Sequence, residues 1–184
     1  MSDTETTQDF EILPPRDGGP EAQEMRLRRS SDGAVFFAYR FEHPAVASTV
    51  VLYDRARDAV LLGRRERQPF AGSYCFPGGF LDVGEETVEQ CAARELREET
   101  GVVIRAEDLQ LVDVRSHPRR DPRDHVLDIG YYAEGDNLEA RAADETDAIE
   151  WAPAGQIDDR PLAFDHDRLW QAVKERLINP GNGG

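Results

Sequence analysis

Three glutamates within residues 78–102 constrain this chain more than any other feature of its sequence. Glu95, Glu98 and Glu99 follow one another at helical spacing, so in an α-helix their side chains share one face. Like charges on one face repel each other, and a bound cation is the natural compensation; the alternative is a solvated acidic face paired with Arg94 and Arg97. Mg²⁺ favours carboxylate oxygens and also binds substrate phosphates. A glycine-rich turn just before the helix would let the backbone approach a ligand closely.

The same segment resembles the signature of the Nudix hydrolases, in which a glycine, an isolated glutamate, an Arg-Glu pair and a Glu-Glu pair recur at fixed spacing. Counting forward from Gly79 places the isolated glutamate at Glu85, whereas counting back from Arg94 places it at Glu86, so the loop carries one extra residue. Because a helix fixes register and a loop can absorb an insertion, Glu86 is the favoured assignment. The matching positions are Gly79, Arg94, Glu95, Leu96, Glu98, Glu99, Gly101 and Val102.

The resemblance implies the Nudix fold, an α/β/α sandwich with a mixed β-sheet, over residues 45–178. It also implies hydrolysis of a nucleoside diphosphate linked to a further group, by attack of water at phosphorus with Mg²⁺ or Mn²⁺ as cofactor. Arg94 would orient a glutamate, Glu98 would act in catalysis, and Glu86 would support the site from the loop. The implied metal ligands are the carboxylates of Glu95, Glu98 and Glu99 and the backbone carbonyl of Gly79.

The general base in this family is often a glutamate on a late loop, outside the signature. Glu145, in the loop before Trp151, is the best positional match and is taken as a catalytic residue. Asp144 and Asp147 could substitute for it, and all three could equally be solvated loop acids.

Two further stretches resemble ADP-ribose pyrophosphatases: RDPR at 120–123 and LAFDH at 162–166. Arg120 and Arg123 are expected to hold a terminal phosphate or ribose, because an arginine fork can donate two parallel hydrogen bonds to an oxyanion; a solvated charged loop is the alternative. Phe70 and Tyr74 either stack on a base or belong to the core, and Phe70 is taken as a substrate contact.

Local patterns predict a strand-rich domain around these motifs. Thr87 predicts the start of a helix that ends at about Thr100, with Gly101 as its stop. Asp165 begins a second, amphipathic helix. Strands are predicted at 36–39, 45–53, 59–64, 109–116 and 126–133, with another that follows residue 144.

Length and composition limit the domain organisation and the classes of partner that are expected. The chain has 184 residues, which suits one domain at 34–184 after a flexible N-terminal arm at 1–33. A net charge of −15 disfavours nucleic-acid polymers and leaves a small nucleotide as the expected partner. Cys75 and Cys91 have neither zinc nor CxxC spacing and are expected to be reduced. No membrane-spanning run or signal peptide is visible, so a cytoplasmic location is expected. A homodimer is an open alternative to a monomer.

Two other function classes compete with hydrolysis. One is a non-catalytic domain that senses ADP-ribose or another nucleotide. The other is the isomerase branch of the fold, which acts on isopentenyl diphosphate and would use a catalytic cysteine and a substituted signature. The intact set Glu95, Glu98 and Glu99 favours the hydrolase.

Overall fold

The computed structural model describes residues 10–13, 24–33, 35–39, 44–142 and 148–178. Contacts divide the chain into two units, Met1–His43 and Pro44–Gly184. The first unit holds an antiparallel sheet of three strands in the order β1–β2–β3. The predicted domain boundary at residue 33 therefore falls inside this unit, and the predicted arm contains two of its strands. The strands are β1 (Phe10–Leu13), β2 (Glu24–Arg29) and β3 (Val35–Tyr39).

The second unit is built on a mixed sheet with the strand order β10–β5–β4–β9–β8. The two central strands, β4 and β9, run parallel over ten paired positions, from Ala45 opposite Val126 to Asp54 opposite Gly135. The other pairs are antiparallel, and the short strands β6 and β7 extend β5 and β4. The bounds are β4 (Ala45–Asp54), β5 (Ala59–Arg64), β6 (Tyr74–Cys75), β7 (Gly78–Phe80), β8 (Gln110–Arg115), β9 (Val126–Gly135) and β10 (Ile149–Pro153).

Two helices cover the two faces of this sheet, α1 (Val88–Thr100) and α2 (His166–Ile178). Side chains alternate across a strand, so successive residues of β4 pack against different helices. Val50 and Leu52 pack in the cluster that contains Leu96 of α1, whereas Val51 packs in the cluster that contains Trp170 of α2. The predicted α/β/α sandwich with a mixed sheet is thereby confirmed.

Local chemistry sets both ends of α1. The Thr87 side chain accepts a hydrogen bond from the Gln90 backbone N–H, and the Gln90 side chain accepts one from the Thr87 backbone N–H. This reciprocal cap satisfies two donors that helix geometry leaves unpaired. Gly101 ends the helix at φ +72°, a left-handed conformation that glycine adopts without steric cost. Neither α1 nor α2, as far as the chain is described, is long and apolar enough to span a bilayer.

One local expectation differs from the structure. Residues 78–80 form the strand β7 against β4, with Gly79 opposite Ser48, where a glycine-rich turn was predicted. A Cβ on Gly78 would lie 2.2 Å from the Ser48 carbonyl oxygen. The glycines therefore allow β7 to lie close against β4 as well as against α1.

Candidate active site

Strand β7 lies directly against the acidic face of α1. A Cβ built on Gly79 would lie 2.4 Å from Glu95 Cδ and 2.5 Å from both carboxylate oxygens, so the Glu95 carboxylate occupies the space that any other residue would fill. The Gly78 backbone N–H donates to Glu99 Oε2 at 3.1 Å. Two of the predicted metal ligands, Glu95 and Glu99, are thus brought to the same strand as the Gly79 carbonyl.

Arg94 ties the acidic residues together. Its guanidinium donates to Glu86 through Nε (3.0 Å) and Nη2 (2.8 Å), and through Nη1 to Glu95 (2.8 Å) and Glu98 (3.0 Å). A further bond from Nη2 reaches the Phe80 carbonyl of β7 at 3.1 Å. One arginine therefore orders three glutamates and anchors them to the strand beneath.

The two candidates for the isolated glutamate differ in their contacts. Glu86 accepts both bonds from Arg94 and a third from the Asp82 backbone N–H at 3.1 Å. Hydrogen bonds from Arg94 hold the pKa of Glu86 down, to about 2. Glu85 is exposed, and its backbone N–H closes a turn onto the Asp82 carbonyl. The structure places Glu86, and not Glu85, beside the helix face.

The donor set has the chemistry that a hard divalent cation requires. The oxygens of Glu95, Glu98, Glu99 and the Gly79 carbonyl are the ligand types that Mg²⁺ and Mn²⁺ prefer. Burial raises the pKa of Glu95, so this carboxylate gains from a nearby positive charge. Arg94 now supplies that charge to Glu95 and Glu98. Within the described part of the chain, no three acidic, histidine or cysteine side chains already converge as a metal site. The residues fit the metal, and Glu98, whose side chain is half exposed and bonded to Arg94, is the most accessible of the three carboxylates named.

A cavity of about 240 Å³ opens beside this acidic cluster. Gly78, Gly79, Phe80 and Glu99 line one side of it. The opposite side comes from the loop after β8 and the segment before α2, through Arg120, Arg123, Phe164 and His166. The structure therefore brings the arginines of RDPR and part of the LAFDH stretch to one cavity with two of the predicted metal ligands, Gly79 and Glu99.

Both arginines that were predicted to bind substrate already donate hydrogen bonds to aspartate side chains. Arg120, whose side chain is only 5% exposed, donates from Nε to Asp165 (2.9 Å) and from Nη2 to Asp128 (3.0 Å). Arg123 donates from Nε and Nη2 to the two carboxylate oxygens of Asp121, at 3.0 and 2.6 Å. Neither guanidinium presents an open fork to a phosphate in this arrangement.

Of the two predicted aromatic contacts, Phe70 contacts a residue that lines the cavity, and Tyr74 has a structural role. The Phe70 ring is 38% exposed and contacts the Phe164 ring, with 4.9 Å between centroids. Tyr74 lies on β6, and the Arg160 guanidinium covers its ring at 4.9 Å. The Tyr74 backbone N–H donates to the Pro161 carbonyl, and its own carbonyl accepts from the Ala163 N–H. Tyr74 thus fastens the segment that carries Phe164.

Sequence reasoning did not single out Phe164 or His166, although both belong to the quoted LAFDH stretch. The Phe76 backbone N–H donates to His166 Nδ1 at 3.1 Å, and the two rings stack at 5.5 Å. Burial lowers the pKa of His166 to about 4, so the imidazole is neutral at pH 7. The resemblance of the motif was the available signal, but nothing in the sequence shows which of its side chains reach the cavity.

The predicted general base lies outside the described residues, as do its two alternatives; these are Glu145, Asp144 and Asp147.

Both cysteines are free thiols, as expected. A second cavity, of about 210 Å³, shares Arg65, Cys75 and Glu99 with the first. Its wall includes three arginines of the β5 end, namely Arg64, Arg65 and Arg67.

Comparison with known proteins agrees with this geometry. The profile of the NUDIX domain matches residues 43–173. An ADP-ribose pyrophosphatase of Methanocaldococcus jannaschii is 36% identical over 127 residues, which cover 69% of this chain and 71% of that protein. The ADPR responsive transcriptional repressor NtrR of Acinetobacter baylyi is 30% identical over 163 residues, 84% of this chain but only 64% of the repressor.

A solved structure extends the likeness to three dimensions. The NUDIX domain of Shewanella oneidensis NrtR, crystallised with ADP ribose, superposes with a TM-score of 0.67 at 29% identity, over 74% of this chain and 90% of that domain. The profile match covers well over half of the chain, and the identity to the archaeal enzyme extends over most of both proteins. This chain belongs to the Nudix family of pyrophosphohydrolases.

Proposed function

We propose that this protein hydrolyses ADP-ribose, or a related nucleotide sugar or dinucleotide, by metal-assisted attack of water at phosphorus. The observation that carries the proposal is the cluster of Glu95, Glu98 and Glu99 beside a cavity of about 240 Å³; Arg94 holds Glu95 and Glu98, and the Gly78 backbone N–H of β7 holds Glu99. The similarity to an ADP-ribose pyrophosphatase supports the choice of substrate.

The roles follow from charge. Phosphoryl transfer spreads negative charge over the phosphoryl oxygens, and its barrier is largely electrostatic. Mg²⁺ or Mn²⁺, held by Glu95, Glu98, Glu99 and the Gly79 carbonyl, would neutralise that charge and lower the pKa of bound water. Arg94 positions Glu95 and Glu98 through its Nη1 bonds, and Glu86 positions Arg94. Glu145 is proposed as the general base that accepts the proton of the attacking water.

A second candidate function is supported by the similarity to a transcriptional repressor that responds to ADPR. A sensor of this kind would bind ADP-ribose and leave it intact. Its binding site would not need the acidic cluster, whereas this chain has three glutamates on one helix face, two of them bonded to Arg94 and the third to the Gly78 N–H. Hydrolysis is therefore the preferred function.

The decisive experiment measures turnover and binding together. Purified protein is incubated with ADP-ribose, NADH, diadenosine polyphosphates or nucleotide sugars, with Mg²⁺, with Mn²⁺ or with excess chelator, and the products are separated by chromatography. The expected result is metal-dependent release of AMP and ribose 5-phosphate from ADP-ribose. Tight binding of ADP-ribose without turnover in either metal would instead establish the sensor.

Partners and location are further parts of the proposal. The net charge of −15 makes a small nucleotide, and not a nucleic-acid polymer, the expected substrate. A cytoplasmic location and a homodimer remain predictions, to be checked by cell fractionation and by light scattering of the purified protein.

A further inference from the structure

Phe164, which lines the cavity, and Phe70, which contacts it, both have an uncommon backbone conformation. Phe70 has φ +66° and Phe164 has φ +55°. Bulky residues rarely adopt the left-handed region, because Cβ crowds the neighbouring carbonyl oxygen. Conformational strain of this kind persists only where the surroundings hold it, and it is concentrated at ligand sites. Here the two strained residues contact each other, at 4.9 Å between ring centroids.

Backbone hydrogen bonds hold both residues in place. Phe70 opens a turn in which its carbonyl accepts from the Ser73 N–H at 3.0 Å. The next residue, Tyr74, bonds on both sides to the segment around Leu162, with which it forms a parallel bridge. Phe164 comes two residues after Leu162; it lines the cavity, and its ring contacts that of Phe70.

Two guanidinium groups complete this surface. Arg65 lies 4.9 Å from the centroid of Phe164, and Arg123 lies 5.2 Å from the same ring and 5.0 Å from that of Phe80. Asp121 occupies the donor fork of Arg123, and the Pro69 carbonyl accepts from Arg65 Nε at 2.9 Å. The N–H groups at the edges of these two guanidinium groups are therefore hydrogen-bonded, and their planar faces form part of the surface.

The outer members of the surface remain accessible. Phe70 is 38% exposed and Phe80 is 43% exposed, at opposite ends of the set. We refer to the set as the aromatic–guanidinium array; its members are Phe70, Phe80, Phe164, Arg65 and Arg123.

We infer that the aromatic–guanidinium array binds the base of the nucleotide substrate by stacking, with Phe164 as its central residue. Planar aromatic and guanidinium groups stack on bases and tolerate differences in the base, whereas phosphate recognition requires an open fork or a point charge. The inference rests on the proposed function in that it takes a nucleotide as the ligand. It assigns Arg123 to the base through its flat face, in place of the expected grip on a phosphate or ribose.

The test compares binding of AMP with binding of ribose 5-phosphate, by calorimetry in the presence of Mg²⁺. These two ligands share a phosphate and a ribose, and only AMP carries a base. Phe164→Leu removes the ring at constant hydrophobic character, and Phe164→Tyr restores it. Arg123→Lys keeps the charge and removes the planar group. Arg105→Lys is the matched control, because Arg105 forks Asp108 in the same way, at 2.8 Å through Nε and Nη2, and is not part of the cavity wall.

The expected result is roughly tenfold weaker AMP binding, or about 1.4 kcal/mol, for Phe164→Leu and for Arg123→Lys. Phe164→Tyr and Arg105→Lys should bind AMP as the wild-type protein does, and ribose 5-phosphate should bind equally to all. Folding of each variant is checked by near-UV circular dichroism.

Three results would overturn the inference: no AMP binding by the wild-type protein, unchanged AMP affinity in folded Phe164→Leu, or an equal loss for both ligands. If the protein shows the expected AMP binding but does not hydrolyse ADP-ribose, the inference about the array is supported and only the proposed hydrolysis is contradicted. The two ideas therefore fail separately.

Discussion

Gly79→Ala tests whether close contact between strand β7 and helix α1 is required for catalysis. An alanine Cβ at this position would lie 2.4 Å from Glu95 Cδ, about 1 Å inside an ordinary contact. The obstructing atoms belong to the end of a flexible side chain, so Glu95 can move and the backbone need not. The movement displaces one expected metal ligand by about 1 Å and disturbs its 2.8 Å bond to Arg94.

A displacement of about 1 Å in a catalytic group commonly lowers the rate about 100-fold, equivalent to about 2.7 kcal/mol of transition-state stabilisation. We therefore expect kcat for ADP-ribose to fall about 100-fold and half-maximal activity to require more Mg²⁺. The thermal unfolding midpoint should change little, because no buried apolar contact is lost and alanine restricts the unfolded chain more than glycine does.

The assay is steady-state hydrolysis of ADP-ribose across a Mg²⁺ titration, with thermal unfolding measured on the same samples. Gly155→Ala is the control, since a Cβ there meets no atom within 4 Å. A folded Gly79→Ala protein with wild-type kcat and wild-type Mg²⁺ dependence would show that the position of Glu95 does not govern catalysis.

Further substitutions examine the rest of the acidic cluster. Glu98→Gln should lower kcat by several orders of magnitude without loss of stability, since its side chain is half exposed; Glu175→Gln, on the exposed face of α2, is the control, and near-normal turnover would contradict the metal role. Glu86→Gln should lower kcat more than Glu85→Gln, because of these two residues Glu86 is the one that accepts hydrogen bonds from Arg94; the reverse order would reassign the isolated glutamate. The Glu86 pKa lies near 2 in the folded protein against an ordinary 4.5, so its stabilising effect should be complete above pH 4.5 and decrease as the pH falls toward 2. Urea unfolding of wild type and Glu86→Gln at pH 7, 5 and 3 measures this, and a difference in unfolding free energy that does not shrink at pH 3 would refute it.

The sequence predicts correctly those features that depend on residues close to one another in the chain. Helix α1 was predicted with its correct ends because its signals are local: the Thr87–Gln90 cap and the Gly101 stop lie within the segment that they define. Its register in turn explains why Glu86 was preferred over Glu85. The five longer strands of the main sheet, β4, β5, β8, β9 and β10, were predicted for the same reason, since each carries its own pattern of β-branched and apolar residues. The short strands β6 and β7 were not predicted.

Side-chain pairing across the fold could not be predicted in this way. The partner of Arg120, Asp165, lies 45 residues away, and the two meet because α2 packs across the sheet against β9. Whether an arginine fork is open to a phosphate therefore depends on the order of strands, which no local pattern shows. The contact between Phe70 and Phe164 has the same origin, because it follows from the bridge between Tyr74 and Leu162.

The aromatic–guanidinium array has a consequence for how such a protein can diversify. Every expected metal ligand lies within residues 78–102, whereas the array is assembled from the distant positions 65, 70, 123 and 164, with Phe80 alone shared between them. Substitutions at those positions would therefore change how tightly a base is held without altering the helix that carries the expected metal ligands. On the two proposals together, metal binding and base stacking depend on separate stretches of the sequence, so mutation could alter one and leave the other intact.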